Sequence, residues 1–102
     1  TGSWSAKDYT EAFGDDLVIL PAPDLGNGPK VGGGSWQWGI SKSCKHPQGA
    51  AEFIQFIMSD DEVAAISEAT SLIPTTPGAA AKTEHFRPCG KWRVFYEFLS
   101  AH

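Results

Sequence analysis

The sequence predicts an α/β fold of short strands with packed helices, and three observations predict it. Leu17-Val18-Ile19-Leu20 is a continuous apolar run bounded by Pro21, the pattern of a strand covered on both faces. Trp36, Trp38 and Ile40 alternate with Gln37, Gly39 and Ser41, the period of two that marks a second strand. Further along, apolar residues recur at helical spacing: Ala50, Phe53, Ile54, Ile57 and Met58, then Trp92, Phe95, Phe98 and Leu99.

Ser5-Ala6-Lys7-Asp8 has the form of a helix start, and Gly14 after Phe13 is a left-handed stop. Pro21 to Lys30 is dense in proline, glycine and Asx residues and reads as loop. Gly32-Gly33-Gly34 then makes the best hinge candidate, because glycine accepts backbone angles that other residues resist. Pro47 opens a helix whose apolar stripe, by its period, is core. Ser59-Asp60-Asp61-Glu62 is a capping box for the next helix, with Val63 and Ile66 as its buried residues and a sharp corner between the two helices. Leu72-Ile73-Pro74 is a short extended piece, Gly78 to Lys82 a brief helix, and Lys91 to Ala101 a last amphipathic one.

Composition narrows the function. With 102 residues, 41% hydrophobic and 20% charged, the chain has room for one modest core, so it is one domain or a piece of one. A net charge of −4 with only eight scattered Lys and Arg argues against a phosphate-neutralising surface, so no nucleic-acid partner is expected. No apolar run approaches the roughly 20 residues a bilayer span needs. The chain opens at Thr1-Gly2-Ser3 without initiator Met or signal peptide, so its start is expected to be cut or processed.

Catalysis finds little support. His46, His85 and His102 sit in no HExxH or GxSxG context and read as solvated. Asp15-Asp16 and Asp60-Asp61 are adjacent in sequence, so neither pair converges on one cleft as an acid and base; Asp60 and Asp61 read as helix N-terminal charges. The glycine run precedes a strand, whereas phosphate-cradling glycines follow one and open a helix, so no cofactor is expected. Arg87, Lys91 and Arg93 offer an anion cluster or, more simply, a solvated helix entrance. Cys44 and Cys89 match no metal spacing and no metal is expected. The two either pair, closing a loop of about 45 residues worth on the order of 3–4 kcal/mol, or remain separate thiols.

The aromatic-and-glycine segment carries the positive signal. An indole beside bare backbone suits a flat polyhydroxylated ligand: the ring packs on C–H faces while backbone and hydroxyl groups take hydrogen bonds. The alternative is that the tryptophans are core. Three function classes stand open: a sugar- or polyol-binding protein, a glycan-active enzyme domain that would need two carboxylates convergent on the tryptophans, and an interaction module docking a protein through exposed aromatics.

Taken in order, Gly2-Ser3-Trp4, Leu17 to Pro23, Gly32 to Trp36 through Ile40-Ser41, His46-Pro47, Ala50 to Ile54, Ser59 to Glu62 and Leu72 to Thr75 resemble the landmarks of family 1 extracellular solute-binding proteins. These are the sugar-binding components of bacterial ABC importers, of the maltose-binding-protein type. The resemblance implies a fragment of a two-lobe, periplasmic-binding-protein-like (class II) fold. Residues 1–31 would belong to the C-terminal lobe, 32–36 to a hinge crossing, 37–85 to the N-terminal lobe, and 86–102 to a helix returning toward the C-terminal lobe. The family's upstream lobe and a further hinge strand after residue 102 would be missing. It further implies Trp4, Gly34, Ser35 and Trp36 as ligand-binding residues, with Trp38 and Trp92 mainly core. The implied partners are a sugar or polyol and a membrane ABC permease, without catalysis, in the periplasm or outside the cell, with a lipid anchor on an absent N-terminus as one option. A chain so truncated is expected to retain little of this binding and to form swapped oligomers.

Overall fold

In the computed structural model, which describes residues 2–32 and 34–101, the described residues form five α-helices and two 3₁₀ turns. Thr1, Gly33 and His102 lie outside the described residues, and with them part of the glycine hinge and one of the three histidines. Helix α1 (Ala6–Phe13) is entered from a 3₁₀ turn at Ser3–Ser5 and stops at Gly14, whose φ of 53° bears out the glycine stop. A second 3₁₀ turn, Gly14–Asp16, leads into residues 17–46, among whose described residues there is no helix. Helix α2 (Pro47–Ile57) carries its proline in the first turn, where a missing N–H costs nothing. Helices α3 (Asp60–Thr70), α4 (Pro77–Lys82) and α5 (Arg93–Ala101) complete the chain.

The expected strands do not form: among the described residues the sole bridge is an isolated one between Asp24 and Pro29. Residues 17–20 nevertheless keep a period of two, with Leu17 and Ile19 turned inward and Val18 and Leu20 exposed. One face is therefore covered, not two. Segment 34–41 is exposed throughout its described residues. The physical reason is that a strand is a pairwise object: a run with strand-like side chains becomes a strand only when a second backbone takes its N–H and C=O groups. The 21–30 loop is as expected, closed by Asp24 Oδ1 accepting from the N–H of Gly26 (2.8 Å) and Gly28 (2.9 Å), both at positive φ.

Capping is also met differently. Ser5 and Ser59 stand at the N-caps of α1 and α3, yet neither hydroxyl makes a capping bond. The described cap that does form is Thr76, which accepts from Ala79 N–H at 3.1 Å and donates to Asp60 Oδ1 at 2.7 Å, tying the starts of α3 and α4 together. Gly78 permits that approach, since a β-carbon there would run into the Asp60 carboxylate. Asp61 pairs with Lys82 across the same two helices, and that bond raises the Lys82 pKa.

Where α3 meets α4 the buried residues are small: Val63, Ala64 and Ser67 on one helix, Ala79 and Ala80 on the other. Ile66, expected inside, lies on the exposed flank because a close helix pair selects small side chains for its seam. Helix α2 also departs from expectation: Ile57 is buried and Ala50 and Ile54 are half-buried, but Phe53 and Met58 are exposed. The core sits elsewhere, on Trp92, Phe86, Ala80 and Ala6, with Ile19, Ile73, Phe95 and Tyr96 packed around them.

The chain is open for its size. Its radius of gyration is 16.0 Å, against about 13 Å for a compact domain of this length. Its accessible surface is 7567 Å², against about 5,600 Å² for a compact monomer of this mass.

Trp92 is 1% exposed and its indole N–H donates to Thr10 Oγ1 of α1 at 3.0 Å. Trp92→Ala is expected to cost about 3–5 kcal/mol in urea-induced unfolding. Phe53→Ala, on the uncovered face of α2, is expected to cost under about 1 kcal/mol in the same assay. Equal costs would contradict this placement of the core.

Candidate functional site

An open depression of about 1550 Å³ lies between the N-terminal turn, residues 20–22, 31–32 and 34–36, and α5. Trp4, Gly34, Ser35 and Trp36 all line it, although about thirty residues separate the first from the rest. Trp36 is 90% exposed, and β-carbons added at Gly32 or Gly34 would meet nothing within 4 Å. Bare backbone therefore borders free volume beside an indole. Leu20, Pro21, Ala22 and Val31 form one side; Ile73, Val94, Phe95, Phe98 and Leu99 form another.

Two local devices hold Trp4 there. Its ring folds back over Gly2, where a β-carbon would collide with the six-membered ring, so the Gly-x-Trp spacing has a steric cause. The residue still has 61% of its surface open. Ser71 then latches the segment: its hydroxyl lies 2.9 Å from the carbonyl of Ser3 and 2.8 Å from that of Trp4. Ser71 closes α3 in the left-handed region (φ 54°, ψ 18°), and that conformation lets a residue at a helix end present its side chain to the N-terminal turn.

The α5 residues are legible as an amphipathic stripe, and the stripe reads as core. The period says that Phe95, Phe98 and Leu99 share a face, not whether a second layer covers it. Trp38, expected in the core, is 59% exposed and meets Phe53 edge-on at 6.5 Å between ring centres, outside the depression. With no paired strand to fix segment 34–41, Trp36 and Trp38 serve different neighbours.

A family model described as bacterial extracellular solute-binding protein matches residues 1–87. The chain belongs to this family. No curated protein and no solved structure gave a match. The matched stretch takes in Trp4, the 32–36 segment and Ser71, and thus most of the depression of this solute-binding chain; α5 lies beyond it.

A smaller hollow of about 420 Å³ lies on the loop that joins α4 to α5, lined by Thr10, Glu84, His85 and Arg87 to Lys91. His85, expected to be solvated, is instead stacked on Trp92 at 3.9 Å between ring centres, with Nδ1 2.9 Å from Glu68 Oε2. No local pattern signals this, because Glu68 and Trp92 converge on His85 from separate parts of the chain. Of the basic trio, Arg93 is engaged with the Phe86 carbonyl (3.0 Å), Glu97 (3.1 Å) and the Tyr96 ring, and Lys91 with the Gly14 carbonyl and Asp15. Cys44 and Cys89 are both free thiols. Among the described residues no group of three or more His, Cys, Asp or Glu side chains is placed to hold a metal ion, and no helix is long and apolar enough to cross a membrane.

Partial burial pushes the Glu68 carboxyl up, but the hydrogen bonds and charge of His85 outweigh it and hold the group below the usual glutamate range. A carboxylate depressed in the folded state contributes stability that is complete above its unfolded pKa and disappears as pH falls through the folded value. Glu68→Gln is therefore expected to lower the urea midpoint at about pH 7 and to lose that deficit as pH falls through the lowered folded-state value. A deficit that persists undiminished at the acid end would assign Glu68 a packing role instead.

Proposed function

We propose that this solute-binding chain takes a sugar or related polyol at the depression lined by Trp4, Gly34, Ser35 and Trp36, binding it without catalysis as part of the substrate-binding component of an ABC importer. The observation that carries the proposal is the meeting, in one hollow, of two open indoles and the unobstructed backbone of Gly32 and Gly34. Indole faces offer the apolar contact that sugar C–H faces use, while the Ser3 and Ser35 hydroxyls and the adjacent backbone supply hydrogen bonds. In this reading 32–36 is a hinge crossing between a C-terminal lobe (1–31) and an N-terminal lobe (37–85) of a class II binding protein. Closure about it would present the liganded form to a membrane permease at the periplasmic or outer face, where lipid anchoring would keep the protein close.

The surplus of about 1,900 Å² over a compact monomer is comparable to what one partner contributes to a large permanent interface. That surplus supports the expectation that the 102-residue chain by itself forms intertwined oligomers. One observation favours a second reading, in which the exposed aromatics dock a protein: Trp36 has almost no cover.

Intrinsic tryptophan fluorescence titrated with mono- and oligosaccharides tests the first reading. A saturable change is expected of the complete two-lobe protein, weakened about tenfold or more by Trp36→Ala and by Trp4→Ala, with little of it from residues 1–102 alone. A complete, folded protein that ignores every sugar would remove the sugar assignment and favour the second reading. In size-exclusion chromatography with light scattering, masses at two or more times 11.0 kDa are expected; a purely monomeric chain would count against swapping.

A further inference from the structure

The chemistry of the depression narrows the ligand further than polyol binding alone, although the narrower assignment rests on polyol binding being right. Among the described residues that line the hollow there is no Asp, Glu, Lys, Arg or His; its polar side-chain groups are the hydroxyls of Ser3 and Ser35 and the indole N–H groups of Trp4 and Trp36, all uncharged. We infer that the site selects an uncharged ligand and rejects anionic relatives of the same sugar or polyol, such as glycerol phosphates, sugar phosphates and uronates.

Desolvation is the deciding cost. A phosphate or carboxylate leaving water for a hollow walled by Trp4, Trp36, Val94, Phe95 and Leu99 loses strong hydration, and only an opposing cation or a converging set of donors restores it. The cations closest in sequence to the lining are committed or set aside; Lys7, three residues after Trp4, is exposed and is not among the lining residues. Arg93, beside Val94, has its guanidinium on Glu97, on the Phe86 carbonyl and over Tyr96. Lys91 holds Gly14 and Asp15. Lys30, beside Val31, is exposed and is not among the lining residues. At the start of α5 the N–H groups of Arg93 and Phe95 are already taken by the carbonyls of Gly90 and Trp92. A neutral sugar meets none of these costs: it sets C–H faces on the indoles and keeps its remaining hydroxyls toward the open side.

The absence of any ionisable wall among the described lining residues has a second consequence. Affinity at this site is insensitive to salt and to pH across the range in which His and carboxylate groups titrate.

The test compares glucose, maltotriose and glycerol with glucose 6-phosphate, glucuronate and glycerol 3-phosphate by calorimetry and tryptophan fluorescence, on the complete two-lobe protein and on its Trp36→Ala variant. The neutral member of a matched pair is expected to bind at least about tenfold tighter than its anionic counterpart. Its Kd is expected to shift less than about twofold between roughly 50 and 500 mM salt. Tighter Trp36-dependent binding of an anionic member, or a Kd that rises steeply with salt, overturns the inference while polyol binding stands. No Trp36-dependent binding of either class overturns the polyol reading itself, and the inference with it.

Discussion

The packing of Trp92 is the constraint on which the rest of the structure depends. Its indole N–H reaches back to Thr10 in the first helix, its face carries His85, and through His85 it is tied to Glu68 on α3. Phe86 closes against its edge at 5.6 Å between ring centres. One side chain near the C-terminus thus fixes the N-terminal helix against the α3–α4 pair. Without that closure the Ser71 latch on Ser3 and Trp4 would have to hold the N-terminal turn against α3 without the support of the α1 packing. The loop before it is built as tightly: Gly90 lies so close to the His85 carbonyl that no side chain fits, and Trp92 N–H donates to that same carbonyl at 2.9 Å.

How much of the fold was legible in the residues divides by range. The five helices follow from local signals: a proline in the first turn, acidic residues at Asp60 to Glu62, glycine at position 14, and apolar residues at a period near 3.6. Each of these acts within a few residues, so each survives whatever happens elsewhere. The two strands were equally plain in pattern and did not form, because their stability resides in a partner that no local pattern contains. Segment 17–20 shows this most clearly, since its side chains alternate inward and outward while its backbone stays unladdered. The surface excess and the large radius of gyration express the same fact at the scale of the whole chain.

The candidate site was picked out by a different route. Resemblance, not pattern, singled out Trp4, Gly34, Ser35 and Trp36, and all four line one hollow. Its far wall on α5 was not legible as a wall, because amphipathic periodicity marks a face without naming what the face looks at. The His85 cluster was invisible for a related reason: three residues from separate parts of the chain meet, and none carries a motif. Trp38 shows how little residue type alone decides, being an indole on the same predicted face as Trp36 yet turned to Phe53.

Ser71 bears on how this sequence can drift. Its backbone sits where glycine is most at ease, while its hydroxyl holds two carbonyls of the N-terminal turn. Glycine would suit the first demand and abandon the second; threonine would keep the hydroxyl but bring a β-branch into a region that disfavours it. The position is also fully buried, which shuts out longer polar side chains. Two independent requirements meeting on one small residue leave almost no neutral path away from serine, so position 71 should change far more slowly than its surroundings as the family diversifies.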